Sequence, residues 1–326
     1  MNRRLNTGVV SLLLLCSAIT FVCVNPHGTA DVESKRRSAM STQKSSHDKF
    51  ASSSRKEVTV YFQAHRGGLK EVPEHTIETY RYAWHLGGIP EADIQTTKDG
   101  VIICLHDSTL ARTTKCPDSI KDRDVSTLSL EEIRQWDAGI YFGEQFAGQK
   151  VLTLLEVFED LKQHPERQLY LDLKRVDLDV LGKIIKEFKV APGIIFAHNL
   201  QENLVRFSQI APDVRTMLWI GGKPDEIKST FDKARETGFE GLSQVQLHLH
   251  NIGSNDVIEY ALDETFLRHA LAQTGEAGID LEVLPFDFDD TSLHRLLDLG
   301  IRWFATDYPM KFTDSVRRWR GSAFSE

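Results

Sequence analysis

Short apolar segments alternate with amphipathic helical segments along most of this chain, and this alternation limits the folds that are open to it. Eight strands are predicted, at 58–64, 89–96, 169–173, 193–197, 215–220, 241–247, 281–286 and 301–305. Helices are predicted between them, at 74–86, 154–162, 180–188, 201–210, 225–237, 265–276 and 291–299, because apolar residues recur there at spacings of three and four. Strands that alternate with helices predict βαβ units and a parallel sheet. Eight such units predict an α/β fold, a single (β/α)8 barrel of the TIM type.

One short connection interrupts this alternation after the second predicted strand. Only Lys98-Asp99-Gly100 separates Thr97 from Val101, which is too few residues for a helical crossover. Asp-Gly between two apolar runs is a hairpin signal. We therefore expect the second strand to run past the barrel rim and to return as an antiparallel strand over 101–105. This return brings His106 close to the carboxylates of the second strand.

The segment 108–150 is long for a connection between two barrel elements. It contains one short predicted helix near 130–136 and the stretch "AGIYFGEQF". Loops at the C-terminal ends of barrel strands form the active-site face, and long loops are often functional. We expect this segment to form a small insertion over that face, within a barrel domain that spans 58–326.

The N-terminal part of the chain differs in character from the rest. Two arginines precede an apolar run over 9–24, and small residues follow as far as Ala30, a pattern typical of a secretory signal peptide over 1–30. The run is shorter than the roughly 20 residues that a membrane-spanning helix prefers. Residues 31–57 are rich in serine and charged residues and predict a flexible linker. The expected protein is exported (periplasmic or extracellular), and the alternative is a membrane anchor formed by the uncleaved segment.

Two cysteines, Cys104 and Cys116, lie beyond the predicted signal peptide. Export would permit a disulfide between them. Cys104 lies in the apolar segment "VIICLH", where a buried free thiol is the alternative. The sequence leaves both states open.

Polar residues suited to phosphate-ester chemistry stand at the ends of the first predicted strands. Glu91 and Asp93 are spaced by two on a strand, so both side chains point to one side and can share a hard cation. Arg66 has the fork that suits a phosphodiester anion, and the imidazoles of His65 and His106 can act as base and acid near neutral pH. The structural alternatives are a solvated pair of carboxylates and hydrogen-bonded core histidines.

The composition restricts the class of partner. An apolar fraction of 41% and a charged fraction of 26% are typical of a soluble globular protein. A net charge of −8 without a long basic run argues against nucleic acid as a partner. An acidic protein that handles an anionic phosphodiester needs local positive charge, and Arg66, Lys174 and a metal ion could provide it.

The segment "AHRGGLKEVPEHTIETYRYAWHLGGIPEADIQTTKDGVIICLHDSTLARTT" resembles the glycerophosphodiester phosphodiesterases. The resemblance covers 58–312 and continues through "STLSLEEIRQWDAG", "LTLLEVFEDLK", "LYLDLK" and "FATDYP". It implies a barrel like that of the phosphatidylinositol phospholipases C, and hydrolysis of a glycerophosphodiester to sn-glycerol 3-phosphate and an alcohol. The expected partner is a small-molecule glycerophosphodiester, with no stable membrane partner unless the N-terminal segment is an uncleaved anchor.

The resemblance also implies two catalytic histidines, two phosphate-binding cations and three carboxylate ligands for a divalent metal, Ca²⁺ or Mg²⁺. The histidines are His65 and His106, the cations are Arg66 and Lys174, and the metal ligands are Glu91, Asp93 and Asp172. Asp172 stands where the family usually carries a glutamate. Its shorter side chain bears on which metal fits, because Mg²⁺ demands tighter octahedral geometry than Ca²⁺. For Lys174, a salt bridge to Asp172 is the structural alternative.

Other residues have less specific interpretations. Glu74, in "PEHT", either favours the dipole of the helix that begins there or lies beside Arg66. The family usually has a tryptophan followed by Thr and Asn in the second-last strand, whereas this chain reads "VLPFDF", in which Phe286 could replace the aromatic wall of the substrate pocket. Three further histidines are expected to lie in the core or to line the pocket: His198, His248 and His250.

Two other functions stay open. The same barrel could act on lysophospholipid or sphingolipid head groups, although no amphipathic membrane-binding segment stands out. The chain could also be a non-catalytic cell-surface binding module, against which the presence of both histidines and all three carboxylates argues.

Overall fold

A closed barrel of eight parallel strands forms the centre of the protein, as seen in a computed structural model that describes residues 55, 57–254 and 257–321. A ninth, antiparallel strand extends it, and the predicted (β/α)8 fold is confirmed. The strands are β1 (Tyr61–Ala64), β2 (Ile89–Thr96), β3 (Ile102–Cys104), β4 (Leu169–Arg175), β5 (Ile194–His198), β6 (Arg215–Ile220), β7 (Gln244–Leu249), β8 (Asp280–Pro285) and β9 (Trp303–Thr306).

Strand pairing closes the barrel between its first and last strands. β1 pairs in parallel with β9, where Ala64 is opposite Thr306, and with β2, where Gln63 is opposite Ile89. The order around the barrel is β1-β2-β4-β5-β6-β7-β8-β9. Because these strands are parallel, their carboxyl ends share one rim, and barrels of this type place their functional loops there.

The predicted hairpin lies at this rim. β3 runs antiparallel to the end of β2, with Ile94 opposite Cys104 and Thr96 opposite Ile102. The turn between them is tied by a 2.9 Å hydrogen bond from the backbone N–H of Thr97 to the carbonyl of Val101. The hairpin therefore extends β2 beyond the barrel and delivers the residues after β3 to the carboxyl ends of the strands.

Helices surround the barrel and connect its strands. They are α1 (Ile77–His85), α2 (Asp118–Lys121), α3 (Leu130–Arg134), α4 (Leu154–Gln163), α5 (Leu178–Phe188), α6 (Gln201–Ile210), α7 (Pro224–Glu236), α8 (Glu264–Glu276), α9 (Asp290–Asp298) and α10 (Pro309–Gly321). Helix α10 is not among the predicted helices. Its signal is present, since Phe312, Val316 and Trp319 recur at spacings of four and three and are all buried.

The segment 108–150 packs around a small core of its own. The side chains in it come from the return strand and from the insertion, and include Ile103, Leu110, Val125, Leu128 and Ile133. Helix α3 begins at a capping box, in which Ser129 accepts a hydrogen bond from the backbone of Glu132 and the Glu132 carboxylate accepts one in return. The insertion is thus a structured unit attached to the hairpin.

The predicted signal peptide (1–30) and the predicted linker (31–57) lie outside the described residues, apart from Arg55 and Glu57. Among the described residues, no helix has the length and apolar character needed to cross a membrane. Cys104 is buried and Cys116 half-buried, and both are free thiols. Of the two states that the sequence left open, the structure has the free thiols.

We predict that Gly88 is required for close packing of β1 against the turn before β2. A Cβ at position 88 would overlap the ring of Phe62, which is buried. Gly88→Ala should lower the free energy of unfolding by about 1–3 kcal/mol, the usual cost of overpacking, as measured by urea denaturation.

Gly275→Ala is the matched control. Gly275 lies near the end of α8, and no atom lies within 4 Å of the position of its Cβ. This exchange should leave the stability unchanged or raise it by up to about 1 kcal/mol, since alanine has the higher helix propensity. Equal stability of Gly88→Ala and the unmodified protein would contradict the packing.

Candidate active site

Three buried carboxylates meet at the carboxyl end of the barrel. Glu91 and Asp93 lie on β2, and Asp172 lies on β4 directly opposite Asp93. Each offers an oxygen atom, and these three atoms lie within 4.8 Å of one another. Side chains alternate between the two faces of β2, so Glu91 and Asp93 share a face, and the pairing of β2 with β4 adds Asp172. We call this cluster the carboxylate triad. The structure therefore brings together all three residues that the sequence identified as metal ligands.

The triad concentrates negative charge in a buried place. Burial raises the pKa of Asp172 to about 7, and the carboxylates of Asp93 and Glu91 add to this increase, while Lys174 opposes it. Burial acts in the same direction on Asp93, but a hydrogen bond from His75 and the charges of His75 and Lys174 hold the pKa of Asp93 well below its usual value. The ionised form of Asp172 is disfavoured by burial and by the neighbouring carboxylates, and a cation bound among them would favour it. A donor set made of oxygen atoms alone fits a hard divalent cation such as Mg²⁺ or Ca²⁺.

Lys174 and Trp219 donate to the triad. The ammonium Nζ of Lys174 lies 2.7 Å from Oδ2 of Asp172 and 3.0 Å from Oδ1 of Asp93. The indole N–H of Trp219 donates to Oδ1 of Asp172 at 3.1 Å. The salt bridge that the sequence offered as the alternative for Lys174 is present, and it also places the ammonium beside the triad, within reach of an anion bound there.

His65 follows β1 and is held by the opposite end of the chain. Its Nδ1–H donates to Oδ1 of Asp307, just after β9, at 2.6 Å, and its Nε2 lies 3.8 Å from Oε2 of Glu91. Because the carboxylate accepts only, Nδ1 carries the proton and Nε2 faces the triad. Burial opposes protonation, but Glu91 and Asp307 outweigh it and raise the pKa of His65 above its usual value.

The turn after His65 shapes the arginine site. Arg66 has a φ of 51°, and its backbone N–H donates to Oε2 of Glu91 at 2.8 Å. Gly67 follows with a φ of +86°, and a Cβ there would overlap the side chain of Thr79. His-Arg-Gly is therefore a tight turn that needs its glycine.

The guanidinium of Arg66 lies beside the triad, and its Nε–H has no hydrogen-bond acceptor among the described residues. Its Nη1 lies 3.6 Å from Oε2 of Glu74 and its Nε 3.7 Å from Oδ2 of Asp93. This Nε is buried. A buried donor of this kind is costly unless a ligand satisfies it, and an anionic oxygen would do so.

His106 follows β3 and is held by a chain of charged groups. Its Nδ1–H donates to Oδ1 of Asp107 at 2.7 Å. Arg112 donates from Nε to Asp107 at 2.7 Å and, through its two terminal nitrogens, to Glu74 at 2.6 and 2.7 Å. Burial lowers the pKa of His106, although the charge of Asp93 and the hydrogen bond to Asp107 oppose this change. The two imidazoles are thus shifted in opposite directions.

Glu74 does not lie on the helix that it was expected to begin. The N-cap of α1 is Thr76, so Glu74 precedes the helix and its carboxylate binds Arg112. Its backbone N–H donates to the hydroxyl of Tyr141 at 2.8 Å. The dipole interpretation is therefore wrong, and Glu74 lies beside Arg66. Both Arg112 and Tyr141 belong to the insertion, which thus reaches the site.

Several residues that matter for this geometry were not predicted. His75 donates from Nε2 to Oδ2 of Asp93 at 2.8 Å, and its Nδ1 lies 3.0 Å from the hydroxyl of Tyr80. The sequence gives only weak indications that these residues belong to the site. Asp107 adjoins His106, Asp307 follows the last apolar strand, and His75 directly precedes the N-cap of a helix. The other residues in this group are Arg112 and Tyr141.

Aromatic rings form one side of the mouth of the barrel. Trp219 stacks on His248 with ring centroids 5.4 Å apart, and Phe286 stacks on His250 with centroids 5.0 Å apart. Phe286 also contacts the edge of His248. His198 lies farther along, where its Nδ1 accepts from the backbone N–H of Leu200. Phe286 therefore belongs to this group of rings, and its role as the wall of a substrate pocket stays a prediction.

Comparison with known proteins assigns the chain to a family. The model of the glycerophosphoryl diester phosphodiesterase family matches residues 65–311. A glycerophosphodiester phosphodiesterase of Bacillus subtilis is 29% identical over 76% of this chain and 84% of its own length. One of Caldanaerobacter subterraneus is 39% identical over 47% of this chain and 63% of its own length, so the chain spans less than two-thirds of that relative.

Solved structures show the same fold. A glycerophosphodiester phosphodiesterase of Agrobacterium tumefaciens has a TM-score of 0.62 at 22% identity, with 78% of this chain and 100% of that chain covered. An Oleispira antarctica phosphodiesterase in complex with the product sn-glycerol-3-phosphate has a TM-score of 0.63 at 21% identity, with 81% and 99% covered. The family match spans most of the chain, and the chain belongs to the glycerophosphoryl diester phosphodiesterase family.

Proposed function

We propose that this protein is a metal-dependent hydrolase that cleaves glycerophosphodiesters into sn-glycerol 3-phosphate and an alcohol. The observation that carries the proposal is the meeting, at one rim, of the carboxylate triad, an arginine with an unsatisfied donor and two imidazoles that are each bound to an aspartate. Family membership supports it, and the Oleispira antarctica relative was solved with sn-glycerol-3-phosphate as its product.

In this proposal the triad of Glu91, Asp93 and Asp172 holds one divalent cation, Mg²⁺ or Ca²⁺. The cation supplies Lewis-acid stabilisation of charge on the phosphoryl oxygens. The donor set fits such an ion, because it consists of carboxylates alone. Among the described residues, Lys174 is the one cationic side chain beside Asp172, and the pKa of Asp172 is still raised, so a further positive charge would stabilise its ionised form. Arg66 and Lys174 bind the nonbridging oxygens and so help to hold the phosphate.

His65 and His106 act in the proposal as the general acid and base. Their Nδ1 atoms are committed to Asp307 and Asp107, which leaves Nε2 of each ring for proton transfer. In hydrolysis, one imidazole takes a proton from the attacking oxygen as its bond to phosphorus forms. The other gives a proton to the alcohol oxygen as the second P–O bond breaks.

A second part of the proposal concerns localisation. The signal-like pattern over 1–30 and the polar stretch behind it support export, with the alternative of an anchor if the segment is retained. Export would place the hydrolase where glycerophosphodiesters from outside the cytoplasm reach it.

We predict that activity requires a divalent metal held by the triad. Exhaustive chelation should abolish hydrolysis of glycerophosphodiesters, and added Mg²⁺ or Ca²⁺ should restore it. Asp172→Ala should weaken metal binding, measured by titration calorimetry, by more than the roughly 10–100-fold that loss of an outer-shell partner costs. Asp172→Glu should keep metal binding or shift its preference between the two ions. Normal metal binding by Asp172→Ala would place the third ligand elsewhere.

His65→Ala and His106→Ala should each lower kcat by about 10²–10⁴-fold, which is the usual contribution of a general acid or base. The double variant should lose much less than the product of both factors, because residues that act as a unit are non-additive. KM should change little, since Arg66 and the metal hold the phosphate. An ester with a leaving group of low pKa should rescue one variant only. Rescue of both or of neither would show that the acid–base assignment is wrong.

Arg112 is proposed as a positioning residue for His106. Arg112→Gln breaks the pairs with Asp107 and Glu74, so kcat should fall by roughly 10–100-fold with KM little changed, since small misplacement of a catalytic group costs rate. Arg123→Gln on the same insertion is the control, because Arg123 pairs with Glu132 at 3.7 Å and donates to the carbonyl of Thr127 at 3.1 Å, away from Asp107 and Glu74. Equal kcat for the Arg112 and Arg123 variants would remove Arg112 from this role.

We predict that the mature protein begins near Asp31. The small-residue stretch that ends at Ala30 has the features of a cleavage site. N-terminal sequencing of protein isolated from its native compartment measures this directly. An intact N-terminus on membrane-bound protein would favour the uncleaved anchor.

A further inference from the structure

An open cleft of about 370 Å³ lies at the carboxyl ends of β6 and β7, next to the mouth of the barrel. Apolar side chains and two imidazoles dominate its lining, chiefly Pro224, Ile227, His248, His250, Ala261 and Leu262. Among the described residues, the lining contains no carboxylate, and its single lysine, Lys223, is exposed at the rim. We call this space the β6–β7 cleft.

The β6–β7 cleft is connected to the carboxylate triad through one aromatic ring. Trp219 donates its indole N–H to Oδ1 of Asp172 and stacks on His248, with an interplanar angle of 2°. His248 in turn lines the cleft. The Trp219–His248 stack therefore links the carboxylate triad to the cleft.

The ring of His248 is fixed in place and uncharged. Gly221 leaves room for it, because a Cβ at that position would lie 2.6 Å from Nδ1 of His248. Nε2 of His248 lies 3.2 Å from Oε1 of Gln246, whose amide nitrogen is already committed to Gln63, so the imidazole donates. Burial lowers the pKa of His248 to about 3, and the charges of His65 and His250 add to this effect. The ring therefore presents a neutral face.

Further apolar surface continues from the cleft. The ring of Phe286 stacks on His250 with an interplanar angle of 16° and contacts the edge of His248. At the rim, the side chain of Ile252 is 63% exposed. Flat rings and aliphatic side chains favour an apolar ligand, since each buried methylene contributes through the hydrophobic effect.

We propose that the β6–β7 cleft is a subsite for an apolar substituent of the phosphodiester, so that the preferred substrates are glycerophosphodiesters of alkyl or aryl alcohols. The proposal rests on the proposed function, because it takes the phosphate to bind at the triad and Arg66. A chain that leaves the phosphate on the Trp219 side would reach the cleft by passing over the Trp219–His248 stack. A choline or ethanolamine group would find no carboxylate among the described lining residues to neutralise its charge.

The test uses a series of glycerophosphodiesters whose alcohols are ethanol, butanol, hexanol and choline, assayed with metal present. The alkanols differ little in leaving-group chemistry, so differences in kcat/KM report binding of the chain. We expect kcat/KM to rise by about fourfold for each added methylene until the cleft is filled, and to be lower for the choline ester than for the hexyl ester.

Ala261→Phe fills the cleft and gives the decisive variant. It should abolish the rise with chain length, so that the butyl and hexyl esters are hydrolysed no faster than the ethyl ester. Ala191→Phe is the matched control, because Ala191 is also half-buried but lines a separate cleft beside α5 and α6. This control should keep the rise, and thermal unfolding of both variants checks that they are folded.

Each outcome decides between the two proposals. Flat kcat/KM along the series, a preference for the choline ester, or equal effects of the two alanine variants would overturn the cleft proposal and leave the proposed function intact. If no ester is hydrolysed, the proposed function fails. The cleft proposal is then tested by the affinity of the same series of esters, measured by calorimetry. Affinity that rises with chain length and is lost only in Ala261→Phe would then support the cleft, and affinity without such a rise would overturn it.

Discussion

Electrostatic repulsion among three buried carboxylates is the constraint on which the rest of this site depends. The pairing of β2 with β4 sets Asp93 opposite Asp172, so the backbone fixes their separation and the side chains cannot move apart freely. Each carboxylate of the triad accepts hydrogen bonds from surrounding residues. Glu91 accepts from a backbone N–H, Asp93 from His75 and Lys174, and Asp172 from Lys174 and Trp219. Because part of this charge stays uncompensated, the triad could hold a cation.

The floor beneath the triad is polar as well, whereas barrel interiors of this type are usually filled by branched aliphatic residues. Tyr170 and Gln244 donate to the carboxyl group of Glu282 at 2.8 and 2.7 Å, and the amide of Gln246 donates to Gln63 at 2.7 Å. Burial raises the pKa of Glu282 to about 7, and the charge of Glu91 adds to this increase. A fully bonded layer across four strands fixes the floor, and a carboxyl group that resists ionisation spares the triad a fourth negative charge.

The sequence predicts elements well where burial alone determines them. The bounds of β2, β6 and α6 agree with the predicted ranges, because uninterrupted apolar or periodic segments define them. β7 begins three residues later than predicted, since Gly241 has a φ of +71° and belongs to a turn. Within the site, the triad follows from spacing and family resemblance. Asp307 could not be identified as the partner of His65 in the same way, because 242 residues separate them and only the closed barrel brings them together.

The two imidazoles are therefore oriented by different kinds of contact, one between residues distant in sequence and one between neighbours. His65 has its aspartate on the last strand, where Ala64 pairs with Thr306, so its orientation depends on closure of the whole barrel. His106 has its aspartate next in sequence, and Arg112 links that aspartate to Glu74, which is 38 residues away in the chain. Orientation of His106 thus depends on a local hairpin and its insertion. Because the insertion packs around its own small core, its loops can change around His106 without opening the barrel that orients His65.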